Sequence, residues 1–129
     1  MLGEYLLDSN VLIPLSKRDG ILLERVRRVS GVSIPFSALA ELHYGARNST
    51  HVRENLDTLR VLAARFTVLF PDMTTVNEYG ILRANLKAIG RPIPEPDIWI
   101  AALAIQHELV VVSRDEHFKY VPGLHVEVW

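Results

Sequence analysis

Two short apolar runs, each closed by a polar residue, constrain this chain more than any other feature. Tyr5-Leu6-Leu7 runs into Asp8, and Leu109-Val110-Val111-Val112 runs into Ser113. Neither run alternates, so both read as strands buried on both faces, the signature of a parallel sheet covered by helices on each side. Val32-Ser33-Ile34 and Thr67 to Phe70 read as further strands, closed by Pro35 and Pro71. Val126-Glu127-Val128 alternates, as a half-exposed edge strand does.

Helical patterns separate these strands. Val52, Leu56, Leu59, Leu62 and Phe66 recur at three-to-four spacing, as do Val76, Tyr79, Leu82, Leu86 and Ile89. The second set follows a capping-box match at Thr75 to Glu78 and precedes Gly90. Leu39, Leu42 and Ala46 mark a shorter helix entered through Pro35 and Ser37. Ile98 to Ile105 is apolar nearly all round, which predicts a deeply buried helix; its eight residues are far fewer than the ~20 that span a bilayer. Strands alternating with helices give an α/β sandwich with a mainly parallel central sheet.

The 129 residues are expected to form one domain, 1–129. With 49% hydrophobic residues, and about two-thirds of its surface buried at this size, the chain has enough core to fold without staples. Disordered and low-complexity classes are excluded. The absence of cysteine excludes disulfides, thiolate zinc sites and a cysteine nucleophile. Glu4 and Asp8 stand where a signal peptide would carry lysine and a longer apolar stretch, so a cytoplasmic location is expected. A net charge of −1 argues against a generally basic nucleic-acid binder. Eleven of the fourteen basic residues are nevertheless arginine, the side chain best suited to phosphate.

The positions of the acids carry the chemistry. Asp8 ends the first strand, and Asp115 lies just past the Leu109–Val112 strand. Ligands in open α/β sheets bind at the carboxyl ends of strands, so both point to the functional edge. Asp97 opens the buried helix after Pro94 and Pro96. Glu41 precedes an apolar residue in the Leu39–Ala46 helix and is expected near its buried flank. Each acid also has a purely structural role open to it. Asp8 can cap a helix beginning near Asn10, Asp97 can complement a helix dipole, Ser113-Arg-Asp-Glu116 matches a capping box, and Glu41 can be a solvated helix residue.

Taken together, the four fit one chemistry. Adjacent like charges at ~4 Å repel by roughly 4 kcal/mol per pair at an effective dielectric near 20, so such a cluster requires cations or protons. The acids are read as an oxygen-only ligand set with no histidine or cysteine ligand nearby in sequence, which favours Mg²⁺ or Mn²⁺, and two such ions can drive phosphodiester hydrolysis. Other templates fail. There is no G-x-G-x-x-G or P-loop cradle, no G-x-S-x-G elbow, and no H-E-x-x-H among His43, His51, His107, His117 and His125. A covalent phosphotransfer reading of Asp8-Ser-Asn10 would want an acid at position 10.

These residues resemble the motifs of PIN-domain nucleases. Leu7-Asp8-Ser9-Asn10-Val11-Leu12-Ile13 is similar to the first motif. Ala40-Glu41-Leu42-His43-Tyr44-Gly45 resembles the second, Asp97-Ile98-Trp99-Ile100-Ala101-Ala102 the third, and Val112-Ser113-Arg114-Asp115-Glu116-His117-Phe118 the fourth. The tail through Val121-Pro-Gly-Leu124 is similar to the end of the bacterial toxin branch called VapC.

The resemblance implies a PIN-like three-layer sandwich and an endoribonuclease dependent on Mg²⁺ or Mn²⁺, with two ions at full occupancy. Asp8, Glu41, Asp97 and Asp115 would be the catalytic, metal-binding carboxylates. Asp8, Asp97 and Asp115 would hold the principal ion, with Glu41 supporting it or a second ion and orienting the water. Asn10 would hold the Asp8 loop, Ser9 would cap the helix, and Ser113 would ligate metal through water or orient Asp115. Many relatives carry Asn just before the third-motif acid, where this chain has Pro96 preceded by Glu95, either a solvated loop acid or an added charge at the site. Proline suits a first helical turn, so Asp97 can still be presented. Arg47, Arg83, Arg91 and Arg114 are the candidates for contacting RNA phosphates. The resemblance further implies a toxin neutralised by a cognate antitoxin, a homodimer, and a larger hetero-oligomer on operator DNA contacted by the antitoxin. Two other classes are to be weighed against it: a catalytically silent PIN-fold module binding RNA or protein, and an enzyme using Asp8 covalently.

Overall fold

A computed structural model of the chain describes residues 4–129. In chain order the elements are β1 (Tyr5–Leu7), α1 (Ser9–Ser16), α2 (Gly20–Arg28), β2 (Val32–Pro35), α3 (Phe36–Arg47), α4 (Val52–Arg65), β3 (Thr67–Leu69), α5 (Met73–Ala88), α6 (Glu95–His107), β4 (Val110–Val112), a 3-10 helix (Glu116–Tyr120) and β5 (Val126–Glu127). The strands form one sheet in the order β3-β2-β1-β4-β5, and every pairing is parallel.

The two apolar runs pair in register, Leu6 with Val111 and Leu7 with Val112. None of the four has any solvent exposure. Fully burying such a side chain stabilises by about 1.5–3 kcal/mol, so these runs suit only the middle of the sheet. Successive side chains point to opposite faces. Leu6 and Val111 pack with Leu82 and Leu86 of α5, Ile100 and Leu103 of α6, and Phe118. Leu7 and Val112 pack with α1 through α4, against Val11, Leu22, Leu42 and Leu59 among others. Helices on both faces of a parallel sheet make the expected three layers.

Topology places the site. The chain builds β2 and β3 on one side of β1, then crosses to build β4 and β5 on the other. After β1 it turns into α1 on one face; after β4 it turns toward Phe118 on the other. The carboxyl ends of β1 and β4 therefore flank a crevice, the switch point at which open α/β sheets bind ligands.

Several local expectations are corrected. The capping box of α5 lies three residues earlier than expected: Asp72 accepts from the Thr75 amide, and the Thr75 hydroxyl accepts from the Asp72 amide. Ser113 to Glu116 is not a capping box; Asp115 caps the 3-10 helix by accepting from the His117 amide. The helix after β1 is capped by Asp8 rather than by Ser9. Helix α2 falls outside the patterns read from the sequence. It begins at Asp19, whose side chain accepts from the amides of Ile21 and Leu22. Among the described residues, no helix is long and apolar enough to cross a membrane.

Candidate active site

Because Leu7 pairs with Val112, the residues that follow them meet. The Asp8 amide donates to the Val112 carbonyl at 3.0 Å, and Ser113 Oγ donates to Asp8 Oδ2 at 2.8 Å. Asp8 Oδ1 accepts from the Ser9 amide at 2.7 Å. The capping role and the site role of Asp8 thus use different oxygens.

Ser113 is the hub of this corner. Besides donating to Asp8, its hydroxyl oxygen accepts from Asn10 Nδ2 at 3.2 Å and from the Asp115 amide at 3.0 Å. One donor and two acceptors are all that a hydroxyl has, so none remains for a cation. Asn10 Oδ1 accepts from the Arg114 amide at 3.1 Å. Asn10 and Ser113 together tie the start of α1 to the loop after β4, and so fix where Asp8 and Asp115 stand.

Asp97 comes from the first turn of α6 and is buried, and its Oδ2 has no hydrogen-bond partner among the described residues. Across the crevice, His117 Nδ1 lies 2.8 Å from Asp115 Oδ1 and 3.5 Å from Asp97 Oδ2. Asp97, Asp115 and His117 each offer one ligand atom, and the three atoms lie within 4.8 Å of one another. His117 is not among the candidates read from the sequence. Its only signal there is a position two residues past Asp115, at the start of the 3-10 helix.

Glu41 is solvent-exposed, not on the buried flank of α3 as expected. It still reaches the site, because Ser9 Oγ donates to Glu41 Oε2 at 2.8 Å. The four acids feel one another. Burial, then the charges of Asp115 and Asp8, push the Asp97 carboxyl up from 3.8 to about 6; His117 opposes the rise and Glu41 adds to it. Asp8 is also raised, first by burial and then by Glu41 and Asp115, against the lowering effect of its bonds from Ser113 and Ser9. A buried, partnerless carboxylate oxygen among mutually repelling acids is what a divalent cation relieves. The donor set fits such an ion, with one imidazole nitrogen beside the oxygens.

The remaining candidates lie further out. Glu95 is exposed and shares with Glu41 a cleft of about 690 Å³ lined by Phe36, Tyr44, Pro96 and Trp99. Arg83 lies against Tyr79, donating to its hydroxyl at 2.7 Å. Arg91 stacks over Tyr120, and the Arg114 guanidinium donates to the Trp129 carbonyl. Arg47 is exposed in the last turn of α3.

Known proteins are similar to this chain from end to end. Residues 5–124 match the PIN domain family. Ribonuclease VapC1 of Haemophilus influenzae (strain R2866) is 32% identical over 130 residues, covering 97% of each chain. The tRNA(fMet)-specific endonuclease VapC of Shigella flexneri is 31% identical over 129 residues, covering 98% of each. Among solved structures, DNA-bound VapBC from Salmonella typhimurium superposes with a TM-score of 0.93 at 32% identity, covering 100% of this chain and 99% of that one. VapBC2 from Rickettsia felis, bound to a DNA fragment from their promoter, gives 0.90 at 26% identity, covering 97% and 98%. The match begins in β1 and ends only two residues before β5, taking in all four acids and the strand ends that carry them, and so the chain belongs to the PIN domain family.

Proposed function

We propose that this chain is a divalent-metal-dependent endoribonuclease acting as the toxin of a toxin–antitoxin pair. The observation that carries the reading is the buried, partnerless Asp97 Oδ2 facing Asp115 and His117 at the switch point of the sheet. Relatives named as ribonucleases match over nearly the whole chain.

Asp8, Asp97 and Asp115 would hold Mg²⁺ or Mn²⁺, with His117 as a nitrogen donor beside them. When bound, the ions lower the pKa of water and stabilise the leaving oxygen of the phosphodiester. Ser113 and Asn10 act as positioning residues that spend their hydrogen bonds on Asp8, Asp115 and the Arg114 amide. Glu41, held at Oε2 by Ser9, stands at the solvent edge of the crevice and orients the attacking water through Oε1. The nucleophile is water, so no covalent intermediate forms.

The partner is an antitoxin protein, as in the VapBC complexes that this fold matches. A protein partner is also supported by exposed apolar side chains. Tyr44, Phe70 and Met73 are 74%, 68% and 78% exposed, and Phe36, which stacks with Phe70, lines the cleft beside Glu41. A second copy of the chain and a larger assembly with antitoxin on operator DNA belong to the same proposal.

The test is incubation of purified, antitoxin-free protein with total cellular RNA in Mg²⁺ or Mn²⁺, followed by mapping of new 5′ ends. Discrete cuts that vanish in EDTA are expected. Folded protein that produces none would overturn the reading.

A further inference from the structure

A phosphodiester strand is anionic, and so is the crevice that would cut it. Binding must therefore draw on cations elsewhere, in a chain whose net charge is −1. A groove leads from the acids to such a place. It starts at Glu41, passes Ile13, Gly45 and Asn55, and reaches Ser16, Lys17 and Thr58. Those last three residues also border a second pocket, of about 550 Å³, between the α1–α2 turn and α4.

This second pocket is basic. Lys17, Arg18, Arg27 and Arg65 line it, four of the chain's fourteen basic residues, with no Asp or Glu among its lining residues. The one acid in the adjoining turn, Asp19, spends Oδ1 on capping α2. Three other arginines of α2 and α4 are paired, Arg25 with Glu127, Arg28 with Glu24 and Arg60 with Asp57, while Arg53 of α4 is not. Among the described residues none of the four pocket cations has such a pair, although Arg65 lies over the Phe66 ring. Arg18 adds a second observation. Its φ of 63° lies in the left-handed region that glycine enters freely and a side-chain-bearing residue does not. The turn carries arginine at a position where the backbone favours glycine.

We propose that this pocket binds backbone phosphates of the RNA to one side of the cut, with the groove past Gly45 as the path of the strand. Arginine forks match phosphate oxygens bidentately, and a lysine adds a point charge. Among the described residues Lys17, Arg18 and Arg27 lie against no aromatic ring or main-chain carbonyl, unlike Arg83, Arg91 and Arg114. The inference rests on the ribonuclease reading, and its test separates the two.

The probe is a fluorescein-labelled 12-nucleotide uridine RNA, followed by anisotropy in Mg²⁺ across a series of KCl concentrations. Every protein carries Asp97→Asn, so that the probe survives. Adding Arg27→Ala with Arg65→Ala should loosen binding at least ~10-fold at low salt. The slope of log affinity against log salt should fall by about 1.4, because each phosphate of a single strand that is no longer neutralised lowers it by about 0.7. Arg18→Gly should melt no lower than its parent and still bind more weakly. Arg60→Ala, on α4 but paired with Asp57, should bind as the parent does. Folded Arg27→Ala/Arg65→Ala and Arg18→Gly proteins with unchanged affinity and slope would overturn the proposal. So would variants that keep the RNA but lose a glutamate-rich peptide, because the pocket would then serve a protein partner. If wild-type protein cuts RNA while the variants bind normally, the pocket assignment falls alone. If nothing is cut but the variants lose the probe, the ribonuclease reading falls and the pocket stands only as an RNA-binding site without a cut beside it.

Discussion

Asp97 holds a carboxylate where burial and three neighbouring acids favour its protonated form. Its folded pKa of about 6 lies above the ordinary 3.8, so the folded state holds this proton more tightly than the unfolded chain does. The stability linked to it is full below about pH 4 and is lost as pH rises through about 6. Asp8 is shifted in the same direction. Metal-free protein should therefore melt at progressively lower temperature between those pH values, with a smaller fall in Asp97→Asn, as scanning calorimetry can measure. At pH 7 Asp97→Asn should melt about 3 °C higher, a change of roughly 1 kcal/mol at this size. It should also lose at least about 100-fold in RNA cleavage, on the scale of removing a group that stabilises transition-state charge. His117→Ala should weaken Mn²⁺ binding about 10-fold in calorimetry and Mg²⁺ binding less, because Mg²⁺ prefers oxygen donors. Equal losses for the two ions would remove His117 from the metal centre. Asp8, Asp97 and Asp115 are legible in the sequence because each adjoins an apolar element whose burial the sequence announces. His117 is not, because its direction depends on the 3-10 turn that Asp115 caps. The solvated position of Glu41 is one of the two the sequence leaves open, but its bond from Ser9 is not legible, because it is a tertiary contact that helical periodicity does not encode.

Among the elements, those with strong apolar patterns are readable and those held by caps are less so. Helix α2 buries only Leu22 and Val26, while Ile21 is 82% exposed. Its buried residues keep to one face, but they are few in a helix of only nine residues, and the Asp19 cap matches no motif read from the sequence. The start of α5 is displaced from its expected place because Thr75 suits either end of a capping box, and only the amide it faces decides. Helix α3 carries Gly45 in its interior, where an added Cβ would meet nothing within 4 Å. Gly45→Ala should therefore stabilise the protein by roughly 0.5–1 kcal/mol, measurable by urea unfolding. Gly45 also floors the groove leading from Glu41 to Lys17, so the same variant should bind the uridine 12-mer more weakly. A stabilised variant with unchanged RNA affinity would mean that the strand takes another path.

Across the whole molecule, the sequence patterns support a mainly parallel sheet with helices on both faces, and all five strands are parallel. They do not supply the order β3-β2-β1-β4-β5, because the side on which each crossover returns is set by packing between distant elements. That order brings Asp8 beside Ser113 and makes the crevice. The fold rests on two apolar layers, neither of which includes the acids. Chelation should therefore abolish cleavage while leaving the far-UV circular dichroism spectrum unchanged. The central claim is that the acids and His117 act as one metal centre that cuts RNA. Its most direct test is a Mn²⁺ titration of EDTA-stripped wild-type and Asp97→Asn protein, with bound metal and RNA cleavage followed in the same samples. Cleavage by the wild type should rise in step with occupancy, and Asp97→Asn should stay inactive at every concentration. Full cleavage by stripped wild-type protein, or by Asp97→Asn, would contradict the account.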